Sequence, residues 1–164
     1  MEGPSTTVVI TIRAPRDWFF GWFLAVGLSK IMRRYGLLPS VVATRDQTGP
    51  MHVAGSSRVI QFSDGSTAFE QVTSCDPPRE VIYRVGQLTS MFRYLVREAR
   101  GQIAFRERPT GGTDVEWRYT FAGCSSAATL LLRPLVSTMW RGYMRRALSR
   151  AKHLAEAEAP SHGP

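Results

Sequence analysis

At residues 115–121 the chain reads Val-Glu-Trp-Arg-Tyr-Thr-Phe, and a segment with an apolar stripe follows from about 127 to 158. Large apolar and polar side chains alternate strictly in the first stretch, which is typical of a half-buried strand. The second stretch repeats apolar residues at spacings of three and four, as a helix with one buried face does: Leu132, Val136, Met139, Tyr143, Ala147, Ala151 and Leu154. A curved sheet wrapped around this helix would bury that stripe, and we expect the functional cavity between the two.

The segments before this pair read mainly as short strands with strong turn signals between them. Asp64-Gly65 lies between two apolar runs, as in a hairpin turn, and regular spacing favours an antiparallel meander. No assignment is made for 88–99, and Pro134 requires either a helix start near Arg133 or a kink. The predicted order is a strand over 6–13, helices over 18–23 and 28–35, the second closed by Gly36, and strands over 41–47, 57–63, 67–74, 80–87, 102–108 and 114–121.

Length and composition favour one domain over 1–158 with a flexible tail over 159–164. The first residues lack the basic region of a signal peptide, and the longest apolar run is far shorter than the roughly 20 residues that span a bilayer. Cys75 and Cys124 are far apart and show no metal-binding spacing. We therefore expect a reduced, cytoplasmic protein without a transmembrane segment.

The net charge of +8 comes almost wholly from arginine. Six basic and two acidic residues lie between 127 and 158. The four arginines Arg141, Arg145, Arg146 and Arg150 are called the basic face below. This charge fits either a solvated surface or weak contact with an anionic surface, with no obligatory nucleic-acid partner. A homodimer is compatible with the sequence.

Four sequence motifs carry a resemblance to a known family. The first strand runs into Ala14-Pro15-Arg16-Asp17-Trp18-Phe19, and the hairpin at 69–79 reads Phe-Glu-Gln-Val-Thr-Ser-Cys-Asp-Pro-Pro-Arg. The strand at 80–85 follows that hairpin, and Gly112-Thr113-Asp114-Val115-Glu116-Trp117-Arg118-Tyr119 precedes the last helix. In this order the motifs resemble the START/SRPBCC helix-grip superfamily, within it the polyketide cyclase/dehydrase-like branch.

The resemblance implies an α+β helix-grip fold of about seven antiparallel strands, ordered β-α-α-β6-α, around a long C-terminal helix. It implies an internal cavity but no particular reaction, because the superfamily includes lipid carriers, receptors, quinone-binding chaperones and aromatase/cyclases. No metal or nucleotide cofactor is expected, since His52, His153 and His162 have no metal-ligand spacing and no phosphate-binding loop is present.

No catalytic motif is present, so only weak catalytic candidates emerge. Glu70 and Tyr83 could move protons if both face the cavity, although Glu70 more often would pair with an outward arginine such as Arg84. The register of the hairpin at Asp76-Pro77-Pro78 decides between these alternatives. The aromatic cluster at 18–23 either caps the sheet opening or forms an exposed patch.

The predicted ligand-binding residues are large aromatic or polar side chains that would face the interior: Trp18, Tyr35, Gln61, Tyr83, Phe105, Trp117, Tyr119, Met139 and Tyr143. The first hypothesis is binding of an apolar or aromatic small molecule, such as a lipid, a quinone or a polyketide-like compound. The alternative is a polyketide cyclase, aromatase or dehydratase that uses the same cavity. A third, weaker hypothesis is polyanion or partner binding through the basic face.

Overall fold

The computed structural model describes residues 3–160. Its strands are β1 (Ser5–Ile12), β2 (Val41–Arg45), β3 (Ser57–Phe62), β4 (Thr67–Asp76), β5 (Glu80–Gly86), β6 (Val96–Glu107) and β7 (Thr113–Gly123). Its helices are α1 (Arg16–Ala25), α2 (Leu28–Ile31), α3 (Ser126–Leu135) and α4 (Arg141–Glu158). A π-helical segment, Val136–Trp140, joins α3 to α4, and a 3-10 turn, Met91–Tyr94, precedes β6. The predicted α+β order is confirmed.

One antiparallel sheet of seven strands has the spatial order β1-β7-β6-β5-β4-β3-β2. The first strand therefore lies beside the last, and Val8 of β1 pairs with Trp117 of β7. Along β7 the side chains of alternate residues from Thr113 to Phe121 are buried, as the alternating pattern predicts. This apolar face turns toward the C-terminal helix, and the α4 part of that helix packs against β1.

The C-terminal helix begins at Ser126, where the Ser125 hydroxyl accepts a hydrogen bond from the Ala128 amide. A start near Arg133 is therefore wrong. Pro134 lies inside α3, and the π-helical segment follows directly, where the Thr138 hydroxyl donates to the Pro134 carbonyl at 2.6 Å. Pro134 has no N–H to donate to the carbonyl of residue 130, so one α-helical hydrogen bond is missing within α3.

Two local predictions need correction. The second helix ends at Ile31 instead of 35, because the chain turns at Gly36, whose φ is +57°, and pairs Tyr35 with Leu38. The unassigned stretch 88–99 contains the 3-10 turn and the start of β6, which begins six residues before the predicted 102. The long β6 is possible because its partner β7 also extends to Gly123.

The aromatic cluster at 18–23 caps one opening of the sheet. Phe19, Phe20 and Phe23 are buried, and each ring lies 5.2–6.0 Å from the ring of Phe105 on β6. The first of the two alternatives for this segment is therefore correct, and α1 forms a roof over the interior of the sheet.

The division into a domain over 1–158 and a tail over 159–164 remains a proposal, and residues 161–164, including His162, lie outside the described part. Between residues 3 and 160 no helix combines the length and apolarity needed to cross a bilayer.

Candidate functional site

Two cavities formed by described residues lie in the interior of the sheet. The larger cavity, of about 180 Å³, lies between the concave face of the sheet and the connection from α1 to α2. Its wall includes Met51, Arg58, Glu70, Tyr83, Ile103 and Trp117. The smaller cavity, of about 90 Å³, lies between the sheet and the C-terminal helix, and its wall includes Tyr119, Phe121, Trp140 and Tyr143.

Three aromatic side chains, Tyr83, Trp117 and Tyr119, form what we call the aromatic partition. The Trp117 indole Nε1 donates a hydrogen bond to the Tyr83 hydroxyl at 2.8 Å. The rings of Tyr83 and Tyr119 meet edge to face, with centroids 5.8 Å apart. Tyr83 and Trp117 face the larger cavity and Tyr119 faces the smaller one, so the partition separates the two spaces.

The partition depends on Gly101 in β6, which pairs with both Tyr83 and Tyr119. A Cβ atom at position 101 would lie 2.2 Å from Cζ of Tyr83. The ring of Tyr83 therefore occupies the space that any other side chain at this position would fill. Sequence reasoning missed Gly101, although a lone glycine within a strand can mark a site where another group approaches closely.

Burial keeps the tyrosines of the interior protonated. It raises the pKa of Tyr83, with a smaller contribution from the Glu70 carboxylate, and it also raises the pKa of Tyr119 and Tyr143. The Tyr143 hydroxyl donates to the Pro39 carbonyl at 2.6 Å. At neutral pH these phenols therefore stay protonated, and each hydroxyl has a proton to donate in a hydrogen bond.

The larger cavity also contains a buried ion pair between β3 and β4. Nε of Arg58 donates to Oε2 of Glu70 at 2.5 Å, and only 12% and 6% of the two side chains are exposed. Among residues 3–160, these are the only charged side chains in the wall of this cavity. Removing one partner of such a pair costs more than replacing both, because the remaining charge stays in a region of low polarity.

A β-bulge turns Glu70 toward the interior. Cys75 pairs with the inward Val81, and simple alternation from Cys75 would place Glu70 on the outer face. The register shifts between Val72 and Ser74, so Val72 pairs with Tyr83 and Glu70 faces the cavity. The expected pairing of Glu70 with Arg84 is therefore wrong.

Arg84 instead lies near Glu98, at 3.6 Å, on the outer face. The partner that Glu70 does have, Arg58, was missed. In β3, Arg58 shares a face with Ile60 and Phe62, so the alternation of that strand was the signal that could have found it.

The smaller cavity is almost entirely apolar and is closed on one side by Trp140 of the π-helical segment. The ring of Trp140 makes edge-to-face contacts with Tyr119, Phe121 and Tyr143 at 5.0–5.3 Å. Within residues 3–160, its Nε1 is the only fully buried side-chain nitrogen or oxygen without a hydrogen-bond partner. Leaving such a donor unpaired costs about 1–3 kcal/mol.

The structure places four of the predicted ligand-binding residues in cavity walls. Tyr83 and Trp117 line the larger cavity, and Tyr119 and Tyr143 line the smaller one. Trp117 therefore lines a different cavity from Tyr119 and Tyr143, and the aromatic partition lies between the two spaces. Whether these residues bind a ligand remains a prediction.

Three aromatic residues of the predicted set lie outside both walls. Trp18 stacks on Trp22 at the half-buried edge of α1, and Phe105 is covered by the phenylalanines of α1. Tyr35 packs its ring over Gly142, with the Arg146 guanidinium 5.0 Å from the ring centroid.

Met139 and Gln61 also lie outside the cavity walls. The Sδ atom of Met139 lies 3.6 Å from the position that a Cβ atom would take at Gly36. Gln61 pairs with Thr67, and because it lies between the inward Ile60 and Phe62, it faces outward.

The residues that the structure describes hold no group of three or more His, Cys, Asp or Glu side chains placed to bind a metal ion. The interior cavities contain Arg58, Glu70 and the buried phenols as their candidate chemical groups.

The sequence matches the family model described as polyketide cyclase / dehydrase and lipid transport, over residues 4–156. The chain belongs to this family. The match covers all seven strands and nearly all of α4. The resemblance drawn from the sequence motifs is thus confirmed, while the family description spans both enzymes and carriers. A search of curated proteins finds no match.

Solved structures share the fold at low sequence identity. The protein XoxI from Bacillus cereus superposes with a TM-score of 0.66 at 16% identity, over 96% of this chain and 99% of that one. The protein MLL2253 from Mesorhizobium loti superposes with a TM-score of 0.68 at 11% sequence identity, over 95% of this chain and 99% of that one. Ara h 8.0201 superposes with a TM-score of 0.59 at 12% sequence identity, over 90% of this chain and 99% of that one. The structural similarity supports the helix-grip fold, and at such low sequence identity it carries no information about activity.

Proposed function

We propose that this chain binds an apolar or aromatic small molecule inside the sheet, with the larger cavity as the principal site. The observation that carries the proposal is the composition of that cavity wall. Apolar side chains such as Val72, Val81 and Ile103 share the wall with the rings of Tyr83 and Trp117, and the wall also holds a few polar groups. This combination is typical of small-molecule sites.

The volume of the larger cavity limits the ligand. About 180 Å³ is close to the roughly 150 Å³ of an apolar cavity that holds benzene, and below the roughly 300–1,000 Å³ of drug-sized sites. One ring or a short chain fits this space. A lipid, a quinone or a polyketide-like compound would need the aromatic partition to move, so that both cavities join.

A cavity-filling variant tests the proposal. Val81 is 1% exposed and lines the larger cavity, so Val81→Phe should fill the space and abolish binding of small aromatic probes. The matched control is Val42→Phe, because Val42 is 53% exposed on β2. Binding is followed by NMR titration with benzene and with ethylbenzene. Equal binding by both variants would show that the probes occupy another site.

An enzyme of the cyclase, aromatase or dehydratase type is the second candidate. The specific observation is that the Glu70 carboxylate and the Tyr83 hydroxyl belong to the wall of one cavity. In the dehydration of a β-hydroxyketone, Glu70 could take the α-proton and return it to the leaving hydroxide as water, while Tyr83 donates a hydrogen bond to the carbonyl oxygen.

This second candidate is tested with a β-hydroxyketone, because its conjugated enone product absorbs in the near ultraviolet. Glu70→Gln should abolish turnover and retain binding, and Tyr83→Phe should slow turnover. Turnover that is unchanged in both variants would exclude these residues as the catalytic groups.

We also propose a reducing, cytoplasmic setting and weak contact of the basic face with anionic surfaces. The two cysteines are unpaired, which supports the first point. All four arginines of the basic face are exposed, which supports the second. A homodimer remains compatible with these features.

A further inference from the structure

The ion pair in the larger cavity leaves most of its hydrogen-bonding capacity unused. Arg58 carries five N–H donors, and its one hydrogen bond to a described residue is from Nε to Oε2 of Glu70. Its Nη groups and Oε1 of Glu70 have no partner among residues 3–160. None of these atoms is among the fully buried unpaired atoms, so they reach accessible space, and both residues line the larger cavity.

The charges of the cavity wall cancel. Arg58 and Glu70 are its only charged members in the described part of the chain, and the remaining polar side chains there, which include Gln47 and Tyr83, are neutral. A ligand with a full negative charge would have to leave water for a site without surplus positive charge. A neutral oxygen can accept hydrogen bonds from Nη of Arg58 without adding net charge to the interior.

We propose that the larger cavity selects neutral aromatic or apolar carbonyl compounds, with Arg58 donating to the carbonyl oxygen and Glu70 keeping the site electrically neutral. This inference rests on the proposed small-molecule function and names the ligand class of the same site. The ring of the ligand would lie against Trp117 and Ile103, because these two side chains belong to the apolar part of the wall. Glu70 thereby determines which ligands Arg58 can accept.

Three probes of similar size separate the contributions of a carbonyl oxygen, of a negative charge and of apolar contact to binding. Acetophenone carries a neutral carbonyl, benzoate carries a carboxylate and ethylbenzene carries neither. Dissociation constants are measured by NMR titration, with the indole signal of Trp117 reporting on the cavity. We expect acetophenone to bind about tenfold or more tightly than ethylbenzene, since a hydrogen bond from a charged donor is stronger than a neutral one. Benzoate should bind more weakly than acetophenone.

Variants of the ion pair should change these preferences in a defined way. Glu70→Gln leaves Arg58 with uncompensated charge, so the preference should shift toward benzoate. Replacing both residues by methionine avoids a buried unpaired charge, so the fold should persist. That double variant should keep ethylbenzene binding and lose the tenfold advantage of acetophenone. Arg84→Gln is the matched control, because Arg84 lies on the outer face of the sheet.

Each outcome decides the proposal. Equal affinity of the wild-type protein for acetophenone and ethylbenzene would overturn the role of Arg58, and so would an acetophenone advantage that survives in the double methionine variant. In both cases the small-molecule function would still stand. Failure of all three probes to perturb Trp117 would instead remove the proposed function, and this inference with it.

Discussion

The packing of Tyr83 on Gly101 leads to our most specific prediction, which concerns Gly101→Ala. The added methyl group would lie 2.2 Å from Cζ and 2.5 Å from the hydroxyl oxygen of Tyr83. Tyr83 is 6% exposed and accepts the hydrogen bond from Trp117, so its ring could give way toward the larger cavity only at the loss of that hydrogen bond. The substitution must therefore displace the ring and disrupt the aromatic partition.

The expected loss of stability follows from three contributions. Overpacking costs about 1–3 kcal/mol, loss of the Trp117–Tyr83 hydrogen bond costs about 0.5–1.5 kcal/mol, and replacing glycine in the unfolded chain returns about 0.4–1 kcal/mol. With each contribution at the middle of its range, we expect the free energy of unfolding to fall by about 2 kcal/mol. Urea unfolding followed by circular dichroism measures this value.

Two comparisons make the prediction for Gly101 stringent. Gly86→Ala on the neighbouring strand is the matched control, because a Cβ atom there has its nearest contact at 3.8 Å. In a Tyr83→Ala background the Gly101→Ala substitution should cost nothing, because the clashing ring is gone. A Gly101→Ala variant within about 0.5 kcal/mol of the wild type, or one equally unstable without Tyr83, would refute the steric reasoning.

Three further predictions address charge. Burial alone would raise the pKa of Glu156, but hydrogen bonds from Lys152 and Arg13 outweigh it and lower the pKa from 4.5 to about 2. The ionised Glu156 therefore stabilises the fold by about 1 kcal/mol after solvent screening above pH 4.5, and this contribution is lost as the pH falls toward 2. Glu156→Gln should remove this part of the acid-unfolding curve. Arg58→Ala should lower the free energy of unfolding by about 3–5 kcal/mol, because Glu70 stays buried without its partner. The variant with methionine at both positions 58 and 70 should stay within about 2 kcal/mol of the wild type. Equal losses for the two variants in urea unfolding would contradict this account. Vesicles with anionic lipid should retain the protein at low salt and release it at about 0.5 M salt, because salt screens the charges. Replacing the four arginines of the basic face by glutamine should abolish this retention. Binding to neutral vesicles would show that another surface makes the contact.

Much of the fold could be predicted because its signals are local. Turn residues such as Asp64-Gly65 separate the strands, and the Asp64 carboxylate accepts hydrogen bonds from the amide and hydroxyl of Ser66 in the observed turn. Alternation along β7 correctly identified Trp117 and Tyr119 as inward. Such patterns depend on backbone geometry over a few residues, so they can be read without knowledge of the packing.

The candidate site could be predicted only in part, because its composition depends on contacts between distant segments. Alternation indicates that Phe105 is buried, but not that α1 covers its ring. It also cannot show that the rings of Tyr83 and Tyr119 meet and divide one cavity into two. These outcomes depend on where helices and strands lie relative to one another, which no local pattern contains.

The sequence by itself determined the order of elements, the inward face of β7 and the buried stripe of the C-terminal helix, because periods of two and of about 3.6 residues are properties of the backbone. Only the tertiary structure decided the polarity of the cavity. The bulge between Val72 and Ser74 shifts the pairing of β4 by one residue. Since side chains alternate along a strand, that shift moves Glu70 from the outer face to a buried position beside Arg58.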